Sequence, residues 1–268
     1  MNYLRQKKPN LDVSVFTNGS LLNESIVTLI EDLDLRIYMS HDGPGQILRG
    51  PDPFLRDRFR SLLRELHGQR GLQHNKFTFA SLLTPQFPDA TALLAWFQDQ
   101  LQTEDVLIDV TLPHVYDSQP AEQFVFAPDQ LMPMVLQIRD LCLESNSKVA
   151  FPVLRRRANA IRKHLTQPMG LDAKPNFTSS QPTVLTLDLH GNVLENHNVG
   201  GRSRVLGHLT KWNELKPKSY IRTRERRECV SCPVVHQCTT GSMIEGFENF
   251  EKTCENLFHY SLGLMLAG

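Results

Sequence analysis

Residues 13–45 read VSVFTNGSLLNESIVTLIEDLDLRIYMSHDGPG, and this stretch decides the fold. Val13–Phe16 and Arg36–Ser40 carry short runs of β-branched and aromatic residues that are typical of strands. Between them, the loop Thr17–Ser20 leads to a helix that opens at Asn23, whose side chain can cap the first turn. A strand, a helix and a second strand in this order predict two parallel strands joined by a helical crossover.

The same alternation continues through the first two-thirds of the chain. His41–Gly45 is predicted to be a loop, because glycine and proline at this density interrupt regular structure. The later predicted elements are a helix from Asp52-Pro53 to Gly68, a strand at Phe77–Leu83, a helix at Ala90–Leu101, a strand at Val106–Val110 and a helix at Pro128–Glu144. This pattern predicts an α/β fold with a parallel sheet.

The alternation of predicted strands and helices ends after about residue 146. Residues 166–182 are rich in Pro, Gly, Ser, Asn and Thr, as linkers are. Beyond them, Thr183–Leu187 and Val193–His197 flank His190-Gly191, which predicts a two-stranded hairpin. We therefore predict a first domain over residues 1–165, a linker over 166–182 and a second domain over 183–268.

Composition excludes several classes of partner. The 268 residues carry a formal net charge of zero, so no overall field attracts the protein to nucleic acid or to an anionic membrane. No stretch approaches the roughly 18 apolar residues that a membrane span needs, and Met1–Pro9 lacks the apolar region of a signal peptide. The sequence predicts a cytoplasmic protein, with neither nucleic acid nor membrane among its partners.

Four of the five cysteines, Cys229, Cys232, Cys238 and Cys254, lie in the last forty residues. This crowding suits thiolate ligation in a reducing compartment better than a disulfide framework. The Cys229-x2-Cys232 spacing lets the backbone curl around one metal centre, and both tetrahedral zinc and a cubane iron–sulfur cluster need four thiolates. Zinc sites usually offer two paired knuckles, whereas Cys238 and Cys254 are widely split, which favours the cluster and leaves zinc as the alternative. Cys142 lies in an apolar helical pattern and is interpreted as a small buried hydrophobe.

Five sequence segments occur along the chain in the same order as the motifs of a known enzyme family. Residues 15–22 read VFTNGSLL, 39–44 read MSHDGP, 184–196 hold the hairpin, 206–212 read LGHLTKW and 229–238 read CVSCPVVHQC. They resemble the third barrel strand with its TNGxLL turn, the fourth strand with its SLDGP end, and the hairpin, LGN-type turn and cysteine run of the radical SAM enzymes that carry a SPASM domain. The resemblance implies an incomplete radical-SAM-type (β/α) barrel, followed by a small cysteine-rich SPASM-like domain. It also implies peptide or protein modification as the usual activity, with a peptide or protein as the substrate.

The chain departs from this family in its first motifs. Radical SAM enzymes cleave S-adenosylmethionine at a cluster held by a CxxxCxxC loop and hold the methionine amino group through a GGEP segment, and these 268 residues contain neither. By resemblance, strands one and two are absent, and we expect that an upstream region was lost through a misplaced start, a frameshift or a split gene. S-adenosylmethionine is then expected to bind only if the missing N-terminal region is supplied, and the chain is not expected to be catalytic on its own.

A second departure lies in the cysteine-rich part. Typical SPASM domains hold two auxiliary clusters, and the positions that carry cysteine for the first of them read Thr186 or Leu185, Asn196 and Ser242 here. The four remaining cysteines match the ligands of the second. The resemblance therefore implies one auxiliary 4Fe-4S cluster at Cys229, Cys232, Cys238 and Cys254.

The resemblance also names candidate cofactor contacts. Ser40 would face the ribose of S-adenosylmethionine, Arg49 would face its carboxylate, and Thr17 and Asn18 would lie at the same C-terminal rim, where the chemistry of parallel barrels collects. The alternative for Asn18 is a turn residue chosen for backbone reasons, and the alternative for Arg49 is a surface residue.

Three hypotheses follow. The first is the C-terminal portion of a radical SAM/SPASM enzyme. The second is a non-catalytic partner that binds peptide, or that delivers electrons through one cluster to a separate enzyme. The third is a zinc-stabilised α/β protein.

Overall fold

The computed structural model describes residues 13–70, 76–113, 123–143, 150–166, 186–188, 190–194, 205–215, 232 and 250–267. These residues fall into two compact units. The first contains the described residues up to Thr166 and those from Lys252 onward, and the second contains those from Gln167 to Glu251. The predicted linker lies outside the described residues except for Thr166, so the predicted three-part division stays a prediction.

A parallel four-stranded sheet forms the centre of the first unit. Its strands lie in the order β1 (Ser14–Thr17), β2 (Arg36–Ser40), β3 (Phe77–Leu82) and β4 (Ile108–Thr111). The helices of this unit are α1 (Glu24–Asp32), α2 (Asp57–Arg70), α3 (Ala90–Leu101), α4 (Pro128–Leu143), α5 (Pro152–Thr166) and α6 (Phe250–Leu266). The predicted α/β class with a parallel sheet is confirmed.

The loop after β2 differs from its prediction. Residues 41–45 were expected to be irregular, but Gly43–Leu48 form a 3₁₀ helix, and a second 3₁₀ helix spans Pro53–Leu55. The predicted helix start at Asp52-Pro53 is therefore wrong, because Arg56 has an extended backbone and α2 begins only at Asp57. Asp52 does cap the chain as expected of such a residue, but it caps the 3₁₀ helix, through the Phe54 N–H.

The two faces of the sheet differ in character. Ile37, Met39 and Phe79 point to the helix-covered side and are fully buried in the core. Because side chains alternate along a strand, Tyr38 and Ser40 point to the opposite face. On that face Phe16 stacks on Tyr38 with ring centroids 4.8 Å apart, and 72% of Phe16 remains exposed. This face is thus accessible at β1, whereas Thr78 of β3 on the same face is buried.

The outer edge of β4 is covered by α5 and α6. The Tyr260 hydroxyl of α6 donates a hydrogen bond to the Val110 carbonyl over 2.7 Å, and Arg157 of α5 donates to the same carbonyl and to Asp109. Burial raises the pKa of Tyr260 to about 12, so the hydroxyl keeps its hydrogen. These contacts give the last strand of the sheet partners for its open edge.

The second unit contains an antiparallel sheet of β5 (Thr186–Leu187), β6 (Asn192–Leu194) and β7 (Val205–His208), followed by a 3₁₀ helix at Leu209–Glu214. The turn between β5 and β6 contains Gly191 at a φ of +82°, which glycine adopts readily. The predicted hairpin is confirmed in its strand pairing, and its expected extensions to residues 183–185 and 195–197 lie outside the described residues. Within the described part of the chain, no helix combines the length and the apolar character needed to cross a membrane.

The cap of α1 gives a first prediction. Asn23 Oδ1 accepts a hydrogen bond of 3.0 Å from the Ile26 N–H, one of the amides that the helix itself leaves unpaired. We expect the Asn23→Ala variant to lose about 1 kcal/mol of unfolding free energy, and the Asn23→Asp variant to keep most of it. Urea denaturation measures both, and equal stability of wild type and Asn23→Ala would show that the cap contributes nothing.

Candidate functional site

The carboxyl ends of β1 and β2 bring the predicted cofactor contacts to one edge of the sheet. Thr17 pairs with Met39 at the end of β1, so Asn18 follows at the level of Ser40. Arg49 lies beyond the first 3₁₀ helix, and its Nη2 donates a 2.8 Å hydrogen bond to Ser40 Oγ. The structure therefore brings Ser40 and Arg49 into direct contact.

Asp42 joins these two residues. Arg49 Nη1 lies 3.1 Å from both carboxylate oxygens of Asp42. The Asp42 side chain is 2% exposed, whereas the Arg49 side chain is 34% exposed. Burial raises the pKa of the Asp42 carboxyl, and the charge of Arg49 and the Leu82 N–H act in the opposite direction. The pair thus has a buried anionic end and an accessible cationic end.

His41 fixes the path of the loop. Its Nδ1 accepts a hydrogen bond from the Gly43 N–H at 3.0 Å, so Nε2 carries the hydrogen that is donated to Asp52 Oδ1 at 2.9 Å. The ring is fully buried and stacks on Trp96, with Phe54 packed edge-on against it. These bonds join both 3₁₀ helices to the end of β2.

Thr17 and Asn18 use their side chains locally. Thr17 Oγ1 accepts from the Gly19 N–H and Asn18 Oδ1 accepts from the Ser20 N–H, each at 3.0 Å. Gly19 itself has a φ of +70°. This geometry matches the interpretation of the segment as a backbone turn, and a cofactor contact for Thr17 and Asn18 stays a prediction.

Ser40 and Arg49 have hydrogen-bonding capacity left for a ligand. The guanidinium carries five N–H groups, and its one-third exposure leaves part of it accessible. Ser40 Oγ accepts from Arg49, so the serine hydroxyl hydrogen is available as a donor. The donor set suits an anionic oxygen group such as a carboxylate.

The predicted cluster ligands are only partly described. Cys232 and Cys254 are both half-buried and carry thiols, not disulfide bridges. Cys229 and Cys238 lie outside the described residues. Among the residues that the structure does describe, no group of three or more His, Cys, Asp or Glu side chains could hold a metal ion. The four-cysteine site stays a prediction whose donor chemistry suits iron or zinc.

Cys142 differs from the other described cysteines. It lies on α4 in the hydrophobic core, as expected of a small buried hydrophobe. Burial raises the pKa of its thiol to about 11, so the thiolate needed for metal binding is disfavoured there. Cys142 is therefore a suitable control for the four proposed ligands.

Sequence reasoning did not assign a role to Asp42 or His41. Their position directly after a buried strand, next to Gly43-Pro44, was the available signal, because polar residues at the carboxyl end of a parallel strand commonly belong to a site. The partners that define their roles are Leu82, Asp52 and Trp96, which lie far away in sequence.

The buried histidines predict a pH dependence of stability. Burial lowers the pKa of both His41 and His67, with Asp52 and Asp105 respectively acting in the opposite direction. An unfolded histidine titrates at about pH 6.5, so below this pH the unfolded chain binds more protons than the folded chain. We expect the unfolding free energy to fall as the pH is lowered through about 6.5, until the folded histidines themselves become protonated. Urea denaturation at several pH values measures the slope.

The matched variant is His67→Gln, which removes one of the two buried histidines. It should reduce the slope, because one of the two histidines that bind a proton on unfolding is then absent. A His67→Gln variant whose slope equals that of wild type would contradict the buried neutral state of the His67 ring.

Comparison with known proteins adds a fold relationship. No protein-family model matches the chain, and no curated protein matches it. Among solved structures, the chain is similar to native anSMEcpe with bound AdoMet and Cp18Cys peptide, with a TM-score of 0.62 and 16% identity over 97% of this chain and 77% of that chain. Native anSMEcpe with bound AdoMet gives a TM-score of 0.60 and 16% identity over the same shares. The chain therefore has an α/β fold with a parallel four-stranded sheet similar to that of the radical SAM enzyme anSMEcpe.

Proposed function

We propose that this chain is part of a radical SAM/SPASM system that modifies peptides or proteins, and that it holds one auxiliary 4Fe-4S cluster. The observation that carries the proposal is the fold likeness to anSMEcpe, which extends over 97% of the chain. One of the matched anSMEcpe structures contains AdoMet and the Cp18Cys peptide, and the other contains AdoMet. The order of the TNG, HDGP and cysteine segments along this chain supports the same assignment.

The proposed cofactor contacts are Ser40 and Arg49, with Thr17 and Asn18 at the same edge. The contact between Ser40 and Arg49 and the partly exposed Arg49 side chain support them. We assign S-adenosylmethionine binding to this edge when the CxxxCxxC and GGEP segments are supplied. These 268 residues contain neither motif, so the proposal assigns no cleavage of S-adenosylmethionine to them alone.

The proposed cluster ligands are Cys229, Cys232, Cys238 and Cys254. Four cysteine thiolates are the usual ligand set of a 4Fe-4S cluster. When bound, the cluster would supply structural support or a path for electrons beside a separate reaction centre. The reducing conditions of the cytoplasm, where we place the protein, would keep these thiols available.

A non-catalytic role is the second candidate. The protein would bind peptide, or pass electrons through one cluster to a separate enzyme, and the peptide bound in the matched anSMEcpe structure supports the first of these roles. The partner would then be a separate, complete enzyme.

Metal and sulfide analysis tests the cluster directly. After anaerobic purification and reconstitution, we expect about four irons and four acid-labile sulfides per chain, with brown absorbance. The Cys142→Ala variant should hold the same amount. Stoichiometric zinc without sulfide would instead establish a zinc-stabilised protein and refute the iron–sulfur assignment.

A further inference from the structure

Asp42 is held in place by groups other than Arg49. Its Oδ1 accepts a 2.8 Å hydrogen bond from the Leu82 N–H at the end of β3. Its own N–H donates to Gln46 Oε1 at 3.2 Å, inside the following 3₁₀ helix. The carboxylate is thus fixed between two strand ends and the loop, and it does not depend on the arginine for its position.

Arg49 depends on Asp42 much more strongly. The arginine lies at the end of a 3₁₀ helix, on a long side chain with about 2 kcal/mol of rotamer entropy. Within the described residues, its side chain bonds the two Asp42 oxygens and Ser40 Oγ. Charge-assisted hydrogen bonds to a fixed carboxylate are the strongest of these contacts. The buried acid therefore sets where the guanidinium stands.

The arrangement also explains why a buried acid is tolerated here. An isolated carboxylate is costly to bury, and the arginine and the Leu82 amide together offset that cost. The Arg49 side chain is 34% exposed, and its five N–H groups exceed those used for Asp42 and Ser40, so donors remain for a ligand at the carboxyl edge of the sheet. A ligand carboxylate is the group that such a preorganised fork binds best.

We propose that Asp42 is a positioning residue, which orients Arg49 to receive the carboxylate of a ligand bound beside Ser40. The identity of that ligand as S-adenosylmethionine rests on the proposed function. The statement that Asp42 orients Arg49 rests on the contacts of Asp42 and does not depend on which ligand binds. Asp42 does not touch the ligand, and it acts through Arg49.

Asp42→Asn is the variant that isolates this role. Asparagine keeps the size of the side chain and an oxygen for the Leu82 N–H, but it loses the negative charge and turns an amide NH₂ toward Arg49. The guanidinium then loses the ion pair and one of its two acceptor oxygens, and it faces an amide donor in that oxygen's place, so it should leave its position. Near-UV circular dichroism compares the packing of the variant with that of wild type.

Calorimetric titration with two probes distinguishes positioning from folding. S-adenosylhomocysteine carries the amino-acid carboxylate, and 5′-methylthioadenosine lacks it. We expect Asp42→Asn to weaken S-adenosylhomocysteine binding about tenfold and to leave 5′-methylthioadenosine binding unchanged. In an Arg49→Ala background, Asp42→Asn should have no further effect, because both changes act on one interaction.

Two other titration results would contradict the orienting role of Asp42. Equal losses for both probes would show a structural role for Asp42, and unchanged binding of both would show that Arg49 needs no positioning. Wild-type protein that binds neither probe would show that this edge does not hold the cofactor without the CxxxCxxC and GGEP segments. The orienting role would then be decided by chemical modification alone.

That second measurement needs no ligand. Phenylglyoxal modification of arginines, followed by mass spectrometry of peptides, reports how accessible Arg49 is. We expect Arg49 to react several-fold faster in Asp42→Asn than in wild type, as the charge-assisted bonds are lost. Arg58, which is 76% exposed and paired with Glu24, should react at the same rate in both. An unchanged Arg49 rate would refute the inference.

Discussion

Replacing both Cys229 and Cys232 with alanine is expected to reduce the iron content from about four atoms per chain to less than about one. The two residues form the closely spaced half of the proposed ligand set. Cys238 and Cys254 alone cannot satisfy the iron atoms of a cubane, so the cluster should fail to assemble. Iron and sulfide analysis after anaerobic reconstitution, with the visible absorption spectrum, measures the effect.

The control is the Cys142→Ala variant, since Cys142 is buried in the core of the first unit. It removes one sulfur from the chain and none from the proposed ligand set. Full iron content in this control and loss in the double variant identify the ligands. Retention of iron and sulfide by the double variant would exclude Cys229 and Cys232 as ligands.

Gly43→Ala is expected to destabilise the protein by about 2–4 kcal/mol, combining backbone strain with overpacking. Gly43 has a φ of +57°, which side-chain-bearing residues rarely adopt. A Cβ atom there would lie 2.3 Å from Leu93 Cδ1 of α3, well inside van der Waals contact. Because Gly43 also donates to His41, the strain would act on the loop that carries Arg49. Urea denaturation measures the loss.

Gly68→Ala is the matched control within the same unit. Gly68 lies in α2, is exposed, and would meet no atom within 4 Å of an added Cβ. Alanine at an exposed helical position should stabilise the protein by up to about 1 kcal/mol. Similar effects of the two substitutions would contradict the close packing of the Gly43 loop against α3.

Much of the parallel sheet and its helices could be predicted from the sequence. The strand Arg36–Ser40 and the helix Ala90–Leu101 match their predicted bounds, because local pattern and capping residues agree there. Asp89 caps that helix through the Thr91 and Ala92 N–H groups. Where local chemistry and burial point the same way, element bounds are readable without a structure.

The 3₁₀ helices after β2 could not be predicted in the same way. Their shape depends on the buried ring of His41, on its bond to Asp52, and on packing against Trp96. Glycine and proline indicated an interruption, which is correct for an α-helix, but they do not specify which tertiary contacts fold the interruption. Tertiary contacts therefore determine that this segment forms 3₁₀ helices.

In the candidate site, too, some residues could be predicted from the sequence and others could not. Ser40 and Arg49 were indicated by resemblance, and the structure brings them together. Asp42 could not be linked to Arg49 from the sequence, because its anchoring partner Leu82 comes from the next strand of the sheet. The cysteine assignment rests on spacing, since two of its members lie outside the described residues.

The most direct test of the central claim is the Mössbauer spectrum of wild-type protein, reconstituted anaerobically with ⁵⁷Fe. The account predicts that nearly all the iron is present as one 4Fe-4S cluster, at about four irons per chain. A spectrum of unspecifically bound iron only, in protein that binds zinc tightly through the same cysteines, would contradict it.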